Sequence, residues 1–113
     1  MNMKKASTRT ELRIVDQVRT MHLRGYDFAC EGIKLRLEIS PVSNDPPNLW
    51  RVQARTRTTP STGLETSANE TGTTPIEALH AVAKSWRETE PQHGITVFDW
   101  EAVEALLVSV QAL

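Results

Sequence analysis

Five basic residues recur at even spacing in the first half of the chain: Lys34, Arg36, Arg51, Arg55 and Arg57. In extended backbone, residues two apart project from the same face, so all five are expected to share one side of a sheet. Ammonium and guanidinium groups gathered there suit contacts with phosphate or other anions. Tyr26, Phe28 and Trp50 fall on the opposite parity, so this face has no rings on which bases could stack. Nucleic acid bound to it would be held in a salt-sensitive and weakly sequence-selective way. The same charges would serve equally to keep a sheet face soluble and its edges unpaired.

Other chemistries find less support. Cys30 is the only thiol. Its parity puts it among apolar side chains, where a thiol has a raised pKa and is inert. His22, His80, His93 and Cys30 show no metal-ligand spacing, and the two later histidines are expected to be solvated. No serine-nucleophile motif is present. The five glycines are too scattered for a phosphate-cradling loop. Gly72-Thr73-Thr74-Pro75 leads into a helix start whose free N–H groups could take an anion. Thr74 and Glu77 are expected to satisfy those groups instead. No catalytic residue, metal or cofactor is therefore assigned.

The elements that would hold the basic residues can be traced along the chain. Tyr26, Phe28 and Cys30 alternate with polar residues, as do Ile33, Leu35, Leu37 and Ile39. Glu31-Gly32 between them reads as a two-residue hairpin turn. That turn pairs Cys30 with Ile33, Phe28 with Leu35 and Tyr26 with Leu37, apolar on apolar, and sets Asp27 opposite Arg36. Residues 41–48 are turn-rich, and a third strand follows over 49–57. The Ser/Thr-rich stretch at about 56–74 is expected to be a mobile loop with a fourth, edge strand around Leu64–Asn69. Residues 1–7 read as a loose tail. Thr8-Arg9-Thr10-Glu11 has capping-box form, and Ile14, Val18 and Met21 keep helical spacing up to Gly25. The β-formers Leu12, Ile14, Val15 and Val18 leave residues 9–24 open between helix and strand.

Two helices close the chain. Thr74-Pro75-Ile76-Glu77 is a capping box with proline at the first helical position. Ile76, Leu79, Val82, Ala83 and Trp86 form its apolar stripe. Residues 89–95 are expected to break it. Asp99 is the expected N-cap of the second helix, with Phe98 and Val103 at hydrophobic-staple spacing. Val103, Leu106, Leu107, Val110 and Leu113 make its stripe.

At 113 residues the chain has room for one domain, over residues 8–113. A single cysteine excludes an internal disulfide, and no apolar run is long enough to span a membrane. The segment MNMKKASTRTELR has no apolar stretch after its lysines, so no secretory signal is read there and a cytoplasmic location is expected. The expected fold is a two-layer α+β domain in the order α-β-β-β-(β)-α-α. A three- to four-stranded antiparallel sheet would carry the helices on one face. Its expected core is Phe28, Leu35, Leu37, Trp50, Val52, Leu79, Val82, Trp86, Val103, Leu106 and Val110.

The order helix, three-strand meander, helix resembles the double-stranded-RNA-binding domain. That family carries lysines at the start of its last helix, where this chain reads Thr74-Pro75-Ile76-Glu77. Its first strand loop must reach a minor groove, which Glu31-Gly32 is too short to do. Strands followed by Thr74-Pro75-Ile76-Glu77-Ala78-Leu79 also resemble HicB-type antitoxin domains over residues 33–88, and such a likeness implies a partner-binding module. Charge is divided along the chain. Residues 1–57 hold 11 basic and 6 acidic residues, and 58–113 hold 2 and 8. The functional expectation is a non-enzymatic interaction module that binds a protein partner or itself. The alternatives are weak nucleic-acid binding through the five basic residues, or an enzyme with a cleft between sheet and helices.

Overall fold

The computed structural model describes residues 12–30, 33–42, 49–57, 65–93 and 99–113, without the side chains of residues 30, 33, 57, 65, 66 and 89–93. Five strands come first: β1 Arg13–Arg19, β2 Arg24–Cys30, β3 Ile33–Pro41, β4 Trp50–Arg57 and β5 Glu65–Gly72. Each pairs antiparallel with the next, so the sheet order is the chain order. Helices α1 (Pro75–His93) and α2 (Trp100–Ser109) follow. The chain is thus an α+β domain with a five-stranded antiparallel sheet and two helices, one strand more than the fullest sequence expectation.

The β2–β3 hairpin has the register that alternation requires. Cys30 lies opposite Ile33, Phe28 opposite Leu35, Tyr26 opposite Leu37, and Asp27 opposite Arg36. The fourth strand expected near Leu64–Asn69 is β5, displaced slightly toward Gly72. Two expectations are corrected. The helix expected to start at Thr8 is absent from the part of it that is described, because Arg13–Arg19 is a strand on the edge of the sheet. Helical spacing of Ile14, Val18 and Met21 was a weak signal, and β-branched residues beside an open β2 edge favour extended backbone. The capping box itself, Thr8–Glu11, lies outside the described residues. Helix α1 is also longer than expected and runs two residues beyond Pro91. A proline so near the end removes one hydrogen bond from the last turn, which shortens a helix less than it interrupts one.

Helix α1 packs on β4 and β5. The inner face of the sheet supplies Tyr26, Phe28, Leu35, Leu37, Ile39, Val52 and Ala54 to the core, all essentially buried. The helices supply Ala78, Leu79, Val82, Ala83, Trp86, Trp100, Val103 and Leu107. Trp86 and Trp100 meet edge to face, centroids 5.7 Å apart, the geometry that ring quadrupoles favour. Of the expected core, Leu106 and Val110 are only half-buried, because α2 turns Trp100, Val103 and Leu107 inward, and Trp50, at the start of β4, is half-buried beside the Arg24 guanidinium. The side chain of Cys30 lies outside the described residues, as do the Glu31-Gly32 turn and Phe98.

Both helix starts are capped. Asp99 Oδ1 accepts from the Ala102 N–H at 3.1 Å. Thr74 Oγ1 accepts from the Glu77 N–H at 3.2 Å. Gly72 lets α1 begin within two residues of β5: a Cβ there would stand 2.6 Å from the Ala78 nitrogen. Helix α2 ends in a Schellman turn, with Ala112 N–H on the Leu107 carbonyl and Gln111 N–H on that of Val108. The left-handed position of that turn, φ 59°, is filled by Gln111. The C-terminal strap is then tied to the sheet. Arg19 donates to the Gln111 carbonyl (3.0 Å) and Arg24 to that of Ala112 (2.7 Å), while the Arg24 guanidinium lies over the Trp50 ring.

Candidate interaction surface

Strand parity sends one set of side chains to the helices and the other to an outer face on which no described element lies. The basic residues singled out above are on that outer face. Lys34, Arg51 and Arg55 are exposed, and Arg36 is half-buried. Arg57 ends β4 opposite Glu65, its side chain outside the described residues. Register lines up Asp16, Asp27, Arg36, Arg55 and Ser67 in one row across all five strands.

Along this row and the neighbouring Glu38 the charges are interlaced. Arg36 Nη1 stands 3.2 Å from Asp27 Oδ1, and its Nε donates to Glu38 Oε2 at 3.2 Å. Arg55 Nη2 is 3.8 Å from the same Glu38 oxygen. Burial works against the Arg36 charge. The hydrogen bonds and charges of Asp27 and Glu38 outweigh it and hold the guanidinium pKa above its ordinary value. The guanidinium lies against Gly25, where a Cβ would stand 2.8 Å from Nη2. Arg36 is therefore an oriented, partly neutralised group. Lys34 and Arg51 have no ion-pair partner among the described residues.

Arg13 joins this face, since register sets it opposite the outward Ala29. Its place there is not legible in the sequence, because residues 9–24 suit helix and strand alike. Among described side chains the outer face then carries Arg13, Lys34, Arg36, Arg51 and Arg55 against Asp16, Asp27 and Glu38. The helices expose Glu77, Glu88, Asp99 and Glu101 against Lys84 and Arg87. Folding thus turns the charge division along the chain into a division between two sides of the sheet, since the first half builds the outer face and the second half the helices.

The helix side offers a cleft of about 230 Å³ between α1 and α2. Leu79, Ala83 and Trp100 form its floor, with His80, Arg87, Glu101 and Glu104 at the rim. His80, expected to be simply solvated, pairs with Glu104 at 2.7 Å. An imidazole oriented by a carboxylate is part of an acyl-transfer constellation, but no Ser, Thr or Cys lines the cleft. Among the described residues, no three His, Cys, Asp or Glu side chains come together as a metal site would need. The helix start at Gly72–Pro75 is occupied by its own acid: Glu77 Oε1 accepts from the Thr73 N–H at 3.0 Å and from the Thr73 hydroxyl. Those bonds lower the Glu77 pKa. No described helix is long and apolar enough to cross a membrane.

Comparison with protein-family models, with curated proteins and with solved structures gave no match to this chain.

Proposed function

We propose that this chain is a non-enzymatic interaction module whose recognition surface is the outer face of the sheet. One observation carries the reading. Arg36, braced by Asp27 and Glu38, stands beside Arg55 in the middle of a face that no described element covers. A polyanion approaching Arg36 meets two carboxylates as well, so alternating charge favours a protein surface of matching pattern over a phosphate backbone. The test is affinity capture from native extract with the wild-type chain and the Arg55→Glu variant side by side. A protein held by the first and released by the second, at unchanged circular dichroism, supports the reading. Retention by both, or by neither, overturns it.

A second reading is salt-dependent nucleic-acid binding through Lys34, Arg51 and Arg55, with Arg36 and Arg57 beside them. It is favoured by the exposure of Lys34 and Arg51 outside the ion-pair network. A gel shift at ~50 mM salt decides it, since counterion release is strongest there and no retardation leaves no electrostatic term.

A further inference from the structure

Strand β1 is poorly covered for a member of a sheet. Every residue from Val15 to Arg19 is exposed, those that point inward included. Val15, Val18 and Met21, the last in the turn that follows, are among the large apolar side chains left open to solvent. The opposite edge is unlike it: β5 exposes Ser67, Asn69 and Thr71 and is backed by α1.

The main chain of β1 also has a definite phase. Thr20 N–H donates to the Leu23 carbonyl at 2.8 Å, closing the β1–β2 hairpin. Bonding residues alternate in an antiparallel pair, so Val18 aims its N–H and C=O at β2, and Gln17 and Arg19 aim theirs at the edge that no described strand covers. The Gln17 N–H accordingly stands outside the ladder and is taken by Asp16 Oδ1 at 2.9 Å.

We propose that β1 pairs antiparallel with β1 of a second copy about a two-fold axis at Val18, joining two five-stranded sheets into one. This gives the self-association arm of the interaction-module reading a definite surface, the β1 edge, away from the patch around Arg36 and Arg55. In that register Val18 meets the partner's Val18 at a closely spaced, non-bonded position, and Gln17 and the partner's Arg19 exchange main-chain bonds on either side. Asp16 faces the partner's Thr20, where the paired stretch ends. Valine meets valine and no charge meets its own sign. Centring the axis on Asp16 instead sets carboxylate against carboxylate and Arg13 against Arg19. Centring it on Gln17 sets Asp16 against a valine. The pairing must release the Gln17 N–H from Asp16. The bulge between Ile14 and Asp16 confines it to the straight part of the strand. So short a contact lies at the low end of interface sizes, and the dimer is concentration-dependent.

Cross-linking in a Cys30→Ser background reads the register. Val18→Cys is expected to form a disulfide dimer about tenfold faster than Asn69→Cys on β5, because the pairing raises its effective concentration. Equal rates overturn the proposal. In sedimentation equilibrium the wild-type chain is expected to pass from monomer to dimer with concentration. Val18→Lys should remain monomeric with unchanged circular dichroism, and Asp16→Ala should shift toward dimer. A wild-type chain that is monomeric up to millimolar concentration, or a dimer indifferent to Val18→Lys, overturns it. Arg55→Glu, on β4, should leave this dimer unaltered, so loss of the edge pairing and loss of the outer-face reading are told apart.

Discussion

The Arg36 guanidinium rests on Gly25, its Nη2 only 2.8 Å from where a Cβ would project. Glycine in a strand interior weakens it through backbone entropy, and here the missing side chain is what lets Arg36 lie between Asp27 and Glu38. In Gly25→Ala the atom displaced is the tip of a flexible side chain. Stability should change by less than about 1 kcal/mol, the gain in strand entropy offsetting the loss of a half-exposed ion pair. The Arg36 Nε–H resonance should nevertheless move, and an unmoved signal would show that Gly25 does not seat the guanidinium.

Gly72→Ala presents the contrasting case. Its Cβ would meet backbone, the Ala78 nitrogen at 2.6 Å, and also the Glu77 Cβ at 2.8 Å. Neither can swing away, so α1 must shift relative to β5. Overpacking of this kind costs about 1–3 kcal/mol, readable as a lower urea midpoint at unchanged slope.

Gln111 occupies the left-handed position of the Schellman turn at φ 59°. Side chains other than glycine pay a steric cost there, so Gln111→Gly should stabilise the protein by about 1 kcal/mol. Its carbonyl still receives Arg19. Thermal denaturation checks the sign, and a lowered Tm would mean that the Gln111 side chain makes an offsetting contribution.

Tyr26 is buried, and among the described residues its hydroxyl has no hydrogen-bond partner. A buried hydroxyl without a partner carries its full desolvation penalty, so Tyr26→Phe should raise stability by roughly 1 kcal/mol. Urea titration of the two proteins measures the difference directly.

Glu77 is held below the ordinary glutamate pKa by the hydroxyl and N–H of Thr73. A carboxylate whose pKa is depressed on folding contributes stability that is fully present above its unfolded value and is lost as pH falls through the folded one. Glu77→Gln should therefore flatten the acid limb of the stability curve and leave its slope near neutrality unaltered. Thermal denaturation from neutral pH down through the carboxylate range tests this.

Short-range regularities were legible in the residues themselves. The β2–β3 register follows from alternation across a two-residue turn, the Asp99 and Thr74 caps from oxygen-bearing side chains placed before apolar stripes, and the outward parity of Lys34, Arg36, Arg51 and Arg55 from period-2 geometry. Each depends on bonds between near neighbours, which local spacing controls. Residues 13–19 show where that control ends. Their side chains suit either regular form, and pairing with β2 decided the outcome. Only the assembled sheet brought Arg36 against Gly25 and Arg55 against Glu38, turned Trp100 rather than Leu106 into the core, set Arg13 on the outer face and divided the charges between its two sides. Those relations join residues distant in the chain or on different strands. Their energies exist only once the backbone has brought them together, so no local pattern encodes them.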